Sequence, residues 1–211
     1  MKYLKAHLAS RLPDHLASRI VFCKDSEGSP LAQQVRNLAR SGVHEDGCPK
    51  EQVLLFWTSR LATCKKLARL IQSNKIPITL RFGASTWAHQ IYYHDRVDDL
   101  DEVHWNMVRM CVVGEGLSPP HYLMLTAPAE VLDARVSSGP KGSPFPAACT
   151  QKVRLAFFER LQAGYEEYAR HPTQTATIID ASHSIEETGE AAIAAILGQF
   201  EADGLLLQQA A

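Results

Sequence analysis

Ala176-Thr177-Ile178-Ile179-Asp180-Ala181-Ser182-His183-Ser184-Ile185-Glu186-Glu187 reads as an apolar strand, a polar turn and the opening of a helix. The strand portion lacks clean polar alternation, which suits a parallel sheet covered on both faces. Ser184 followed three residues later by Glu187 is a capping-box pattern, and Ala192-Ile193 to Ile196-Leu197 carry the helix onward.

The same strand-then-helix order recurs upstream. Arg19-Ile20-Val21-Phe22-Cys23, Ile76-Pro77-Ile78-Thr79-Leu80-Arg81 and His121-Tyr122-Leu123-Met124-Leu125-Thr126 are three more short apolar runs. Between them, Ser29-Pro30 predicts an N-cap and first helical position for a helix through Leu38. Apolar positions near helical spacing predict helices over residues 2–12, 51–72, 98–113 and 150–170. Strand and helix in alternation predict an α/β fold with a parallel sheet, organised as a single domain over residues 1–211. Residues 201–211 are expected to form a C-terminal tail.

The 211 residues carry 22 Lys plus Arg against 23 Asp plus Glu, a net charge of −1. That balance argues against nucleic-acid binding through a broad basic face, but it leaves room for a local pocket for a small anion. The apolar runs are far short of a membrane span, and residues 1–8 lack a secretory apolar core. Five widely spaced cysteines, without a CxxC pair, fit reduced thiols in a cytoplasmic protein and no clustered metal site. Residues 137–149 contain a Gly- and Pro-rich segment with Lys141 as its cation, which reads as a connector or as a lid over a site.

Ligands of open α/β sheets bind beyond the carboxyl ends of the strands. The segments there are Lys24-Asp25-Ser26-Glu27-Gly28-Ser29-Pro30, Arg81 to Gln90, Thr126-Ala127-Pro128 and Ala181-Ser182-His183-Ser184. Two of them place a cation beside helix-starting hydroxyls, which suits an anionic ligand.

Five segments in series resemble the thymidylate kinase family. Val21 to Leu31 resembles an apolar strand followed by R-E-P-G-G-T-P-L, and Gln52 to Arg60 is similar to E-L-L-L-F-A-A-D-R. Arg81-Phe82 with Ser85-Thr86-Trp87-Ala88-His89-Gln90 resembles D-R-Y/F…S-T-x-A-Y-Q. Phe157 to Tyr165 is similar to F-F-x-R-V-R-x-G-Y, and Asp180 to Glu187 to D-A-S-x-S-I-E-E. The resemblance implies a three-layer fold of the P-loop nucleoside-monophosphate kinase type and transfer of the ATP γ-phosphate to dTMP with Mg2+. It implies Phe56 stacked on thymine, Arg60 and Arg81 on the acceptor phosphate, and Ser85, Thr86 and Gln90 lining the base pocket. Asp25 stands for the acid of R-E-P-G-G beside the reacting groups, and a homodimer is the implied assembly.

Departures from the family pattern are equally specific. No G-x-x-x-x-G-K-S/T occurs in the sequence, and Met1 to Lys5 matches the helix that should follow that loop. The aspartate of the D-R pair is Leu80, and the lid has lost its arginine-rich pattern. Four strands are expected, the central first strand of the family sheet being absent. Three readings follow: a kinase whose start lies upstream of Met1; a pseudokinase that binds nucleotide without ATP chemistry; or an unrelated α/β domain.

Overall fold

The computed structural model describes residues 1–25, 29–40, 49–139, 145–146 and 148–207, and four strands form among them. They are β1 (Ile20–Lys24), β2 (Ile76–Leu80), β3 (His121–Thr126) and β4 (Thr175–Asp180). β1 pairs with β2 in parallel from Ile20 opposite Ile76 to Lys24 opposite Leu80. β3 pairs with β4 in parallel from His121 opposite Thr175 to Thr126 opposite Asp180. The four strands thus form two two-stranded sheets, without a ladder between β2 and β3 among the described residues, in line with an expected sheet that lacks its central strand.

Side chains still bind the two pairs into one three-layer body, because successive strand residues point to opposite faces. On one face Val21 and Cys23 of β1 join Tyr122 and Met124 of β3 in a core with Val53, Trp57 and Leu100. On the other, Phe22, Ile78 and Leu123 pack with Leu8, Leu16, Ile193 and Phe200. Thr79 of β2 keeps a buried hydroxyl without a hydrogen-bond partner among the described residues.

The helices follow their local signals, with instructive exceptions. The helix expected over 2–12 breaks into α1 (Lys2–His7), a 3-10 turn (Ala9–Arg11) and α2 (Asp14–Ala17). Leu12 is extended, at φ −115° and ψ 148°, as the residue before Pro13 must be. α3 (Pro30–Arg40) is capped by Ser29, whose Oγ accepts from the Ala32 amide at 3.1 Å. α4 (Pro49–Gln72) starts two residues before the expected Glu51, with proline in its first turn.

After β2, α5 (Gly83–Thr86) runs into a π-helical turn (Trp87–Tyr92), then α6 (Val97–Cys111). α7 (Ala129–Ser137) and α8 (Gln151–Arg170) flank residues 138–150, and α9 (Ile185–Ala202) closes the fold. The capping box of α9 is complete: the Glu187 amide donates to Ser184 Oγ at 3.1 Å and the Ser184 amide to Glu187 Oε2 at 3.0 Å. Leu205 and Leu206 pack into the second core, so the start of the expected tail belongs to the body of the domain. Lys141, Ser26, Glu27 and Cys48 lie outside the described residues. Cys23, Cys64, Cys111 and Cys149 form no disulfide. Among the described residues no helix is long and apolar enough to cross a membrane.

Candidate functional site

Because Lys24 lies opposite Leu80 in the ladder, Asp25 and Arg81 leave the carboxyl ends of β1 and β2 side by side. A cleft of about 400 Å3 opens there, walled by Lys24, Asp25, Leu80 and Arg81 from the strand ends and by Gln33 and Arg36 from α3. Three cationic side chains from three elements thus line one concavity.

The chain turns sharply at this point. Arg81 has φ 66° and Phe82 φ 153°, two consecutive non-glycine residues at positive φ. Such backbone persists only where the surroundings over-determine it. Here Phe82 is buried with its ring edge-on to Trp57, centroids 6.1 Å apart. Gly83 behind it is hemmed in: a Cβ would lie 3.1 Å from the Tyr168 hydroxyl and 3.3 Å from the Trp57 ring. The strained turn holds Arg81 out over the cleft, where its side chain is exposed.

Arg60 lies behind the cleft and is 1% exposed. Its Nη2 and Nε donate to the two Asp25 carboxylate oxygens at 2.8 and 3.2 Å, and Nη1 donates to Thr86 Oγ1 at 3.2 Å. The guanidinium carbon sits 4.7 Å from the Trp57 ring centroid and 5.3 Å from that of Phe82. Burial works against this charge, but attraction and hydrogen bonding from Asp25 outweigh it and hold the guanidinium above its ordinary pKa. The pair is therefore a fixed, internally neutral unit, with Asp25 as the member that reaches the cleft.

The residues expected to form the site do not all converge. Asp25, Arg60 and Thr86 form one bonded chain, and Asp25 and Arg81 share the cleft. Phe56, Ser85, Thr86 and Gln90 are not among the residues lining that cleft. Ser85 Oγ lies 3.0 Å from the Tyr165 hydroxyl of α8, while Phe56 and Gln90 are half-buried. The aromatic ring beside Arg60 on its own helix is Trp57, three residues away.

In the sequence Lys24 lies in a strand-end segment suited to an anion, but neither it nor Arg36 is assigned a site role there. Their signals existed: Lys24 ends a strand, and Gln33 with Arg36 is spaced i, i+3 on one face of α3.

Two histidines nearby are held neutral. His89 is pushed down to about 4, first by burial and then by the Arg81 and His94 charges. His104 is lowered well below its ordinary value by burial and then by Arg60; its Nδ1 accepts from Trp57 Nε1 at 3.3 Å.

For a bound metal, the donor set is poor. Asp25 is committed to Arg60, Leu80 stands where a carboxylate was expected, and no cluster of three His, Cys, Asp or Glu converges among the described residues. A magnesium ion here would depend on nucleotide phosphates and water for most of its ligands.

Comparisons with known proteins agree on one family. The family model for thymidylate kinase matches residues 4–192. The chain is similar to the thymidylate kinase of Caulobacter vibrioides, with 30% identity over 180 residues covering 83% of this chain and 82% of that protein. It is 23% identical over 209 residues to the thymidylate kinase of Geotalea daltonii, covering 95% and 90% of the two chains. Its fold is similar to the crystal structure of thymidylate kinase from Ehrlichia chaffeensis, with a TM-score of 0.61, 16% identity and 92% of each chain covered.

Proposed function

Since the chain belongs to the thymidylate kinase family, we propose that it binds a nucleoside monophosphate of the dTMP class, the phosphate lying in the cleft between β1, β2 and α3. The observation that carries this reading is the convergence of Lys24, Arg36 and Arg81 on that cleft. A phosphate monoester at neutral pH carries a charge near −2. Asp25 alone would repel it, but Arg60 cancels the Asp25 charge from behind at 2.8 Å. The three outward cations then supply the attraction, and the strained turn pre-sets Arg81 so that little ordering is left for binding. Arg60 acts in this reading as a positioning residue, and Arg81 as the direct phosphate ligand. Phe56, Ser85 and Gln90 remain proposed for the base end of the nucleotide.

A second reading adds transfer of the γ-phosphate of Mg2+-ATP to dTMP, the reaction that family membership supports. Bound Mg2+-ATP would supply the phosphoryl group and part of its charge neutralisation. Leu80 and the commitment of Asp25 to Arg60 favour the first reading, binding without transfer.

Calorimetric titration with dTMP and with thymidine tests the phosphate site, and a coupled assay with Mg2+-ATP and dTMP tests the transfer. Binding of dTMP well above thymidine is expected, reduced about 10- to 100-fold in Arg81→Ala, because a charge-assisted bond is worth roughly 1.5–3 kcal/mol. Equal binding of the two ligands, or an unaffected variant, sinks the phosphate assignment. ADP formation that requires dTMP establishes the second reading.

A further inference from the structure

A second cavity, of about 480 Å3, opens away from the phosphate cleft, between the π turn, α6 and the end of α8. Aromatic rings make most of its wall: Trp87, Tyr92, Trp105 and Tyr168. Trp87 lies 5.4 Å from Tyr92 and 5.9 Å from Tyr168 between ring centroids, and Trp105 is stacked on Tyr168 at 5.2 Å. His171 stacks on Trp105 at 3.9 Å.

Two carboxylates line this aromatic box: Glu167, which is paired with Arg170 at 3.5 Å, and Asp101, which is held from two sides. Asp101 Oδ1 accepts from Trp87 Nε1 and from Trp105 Nε1, each at 2.8 Å. Both indole N–H groups converge on one oxygen, so the carboxylate is fixed in place, and no cation among the described residues is paired with it. Arg170, the cationic side chain of the lining, is paired instead with Glu166 at 3.2 Å and Glu167 at 3.5 Å.

Aromatic faces around a fixed anion attract a cation through the ring quadrupoles as well as the charge. The type of cation is constrained by the same geometry. A divalent metal needs several oxygen ligands, and the walls here are rings. A guanidinium prefers a two-oxygen fork, and Asp101 Oδ1 is already filled by two donors. An alkylammonium head needs neither: it takes aromatic faces and one nearby charge. We propose that this cavity is a binding site for an organic alkylammonium cation, with Asp101 as its counter-charge and Trp87, Tyr92 and Trp105 as its walls.

The test uses the full chain and tetramethylammonium chloride, followed through the indole N–H resonances of its 3 tryptophans. Trp87 and Trp105 donate to Asp101, whereas Trp57 donates to His104 in the core and serves as an internal control. Saturable shifts of the Trp87 and Trp105 signals, with Trp57 unmoved, are expected. Asp101→Asn keeps an oxygen acceptor for both indoles but removes the charge, and should weaken binding about tenfold. Trp105→Phe is the second variant and should weaken it comparably, read at the Trp87 resonance. The unmoved Trp57 signal reports that each variant is folded. The proposal is overturned if no saturable shift occurs, if sodium chloride at equal ionic strength reproduces it, or if guanidinium chloride binds more tightly. It is also overturned if whichever variants fold bind tetramethylammonium as well as the unaltered chain.

Discussion

The carboxyl ends of the two strand pairs are built from similar residues and use them in opposite ways. At the ends of β3 and β4, Arg135 donates to the carbonyls of Ala181, Ser182 and His183, the last two at 3.2 and 2.6 Å. Gln162 Oε1 accepts from the Ala127 amide at 2.8 Å, and Asp180 Oδ1 from the Ser182 amide at 2.8 Å. These polar groups are spent holding the turns. At the ends of β1 and β2 the only deeply buried charge among the described residues is Arg60, paired with Asp25, while Arg36 and Arg81 line a cleft. The same chemistry gives a closed scaffold at one end and a receptive surface at the other.

Breaking the central arginine of each end should expose that difference. Arg60→Met removes one member of a buried pair and leaves Asp25 without its counter-charge. A loss of about 3–5 kcal/mol is expected in urea unfolding. Arg135→Met exchanges carbonyl contacts on an exposed side chain for water and should cost about 1 kcal/mol, with dTMP binding unchanged. Equal losses for the two variants would remove the distinction between the ends.

How much of this was readable beforehand differs between the ends too. The capping box at Ser184 and Glu187 and the N-cap at Ser29 formed as expected, because capping depends on residues three apart. All four strands were likewise written in their own apolar runs. The gap between the two pairs was legible only through the family resemblance, which left the central strand out; which strands pair is not written in any one run. At the site, Asp25, Arg60, Thr86 and Arg81 were legible through a family pattern, but their wiring was not. A sequence spacing does not reveal that Arg60 turns inward to Asp25, or that Trp57 and Phe82 enclose it. The two positive-φ residues carry no glycine to announce them.

A second, smaller effect should appear on acidification, and it belongs to the β1–β2 end. His104 and His89 are both held neutral in the fold, His89 down to about 4. The unfolded chain binds protons at these residues from about pH 6.5 downward, and the folded protein does not. Stability from both is therefore complete above that pH and falls as pH drops below it, with the His89 contribution levelling off near 4. At pH 5 the His89 contribution should have fallen by about 2 kcal/mol, with a further loss from His104, measured as the shift in urea midpoint from pH 7.5. His104→Asn keeps an acceptor for the Trp57 indole and should make the slope shallower. A midpoint unchanged between those pH values would mean that one or both rings titrate normally.

The smallest effect in stability is the most discriminating, because it should separate stability from binding at a single residue. Arg81 pays for its φ of 66° in backbone strain, a conformation that costs an L-residue about 1–2 kcal/mol. Glycine relieves that strain but loses more entropy on folding, so Arg81→Gly should leave unfolding free energy unchanged or raise it by up to about 1 kcal/mol. Phosphate affinity should move the other way, falling at least about tenfold with the loss of the cation. Arg135→Gly, inside α7, carries no strain to relieve and should only destabilise, by about 1 kcal/mol from helix propensity together with its lost carbonyl contacts. If Arg81→Gly instead destabilises as Arg135→Gly does, the turn is held by the arginine side chain itself. The cleft would then be a second scaffold like the far end, and the contrast between the two ends would fail.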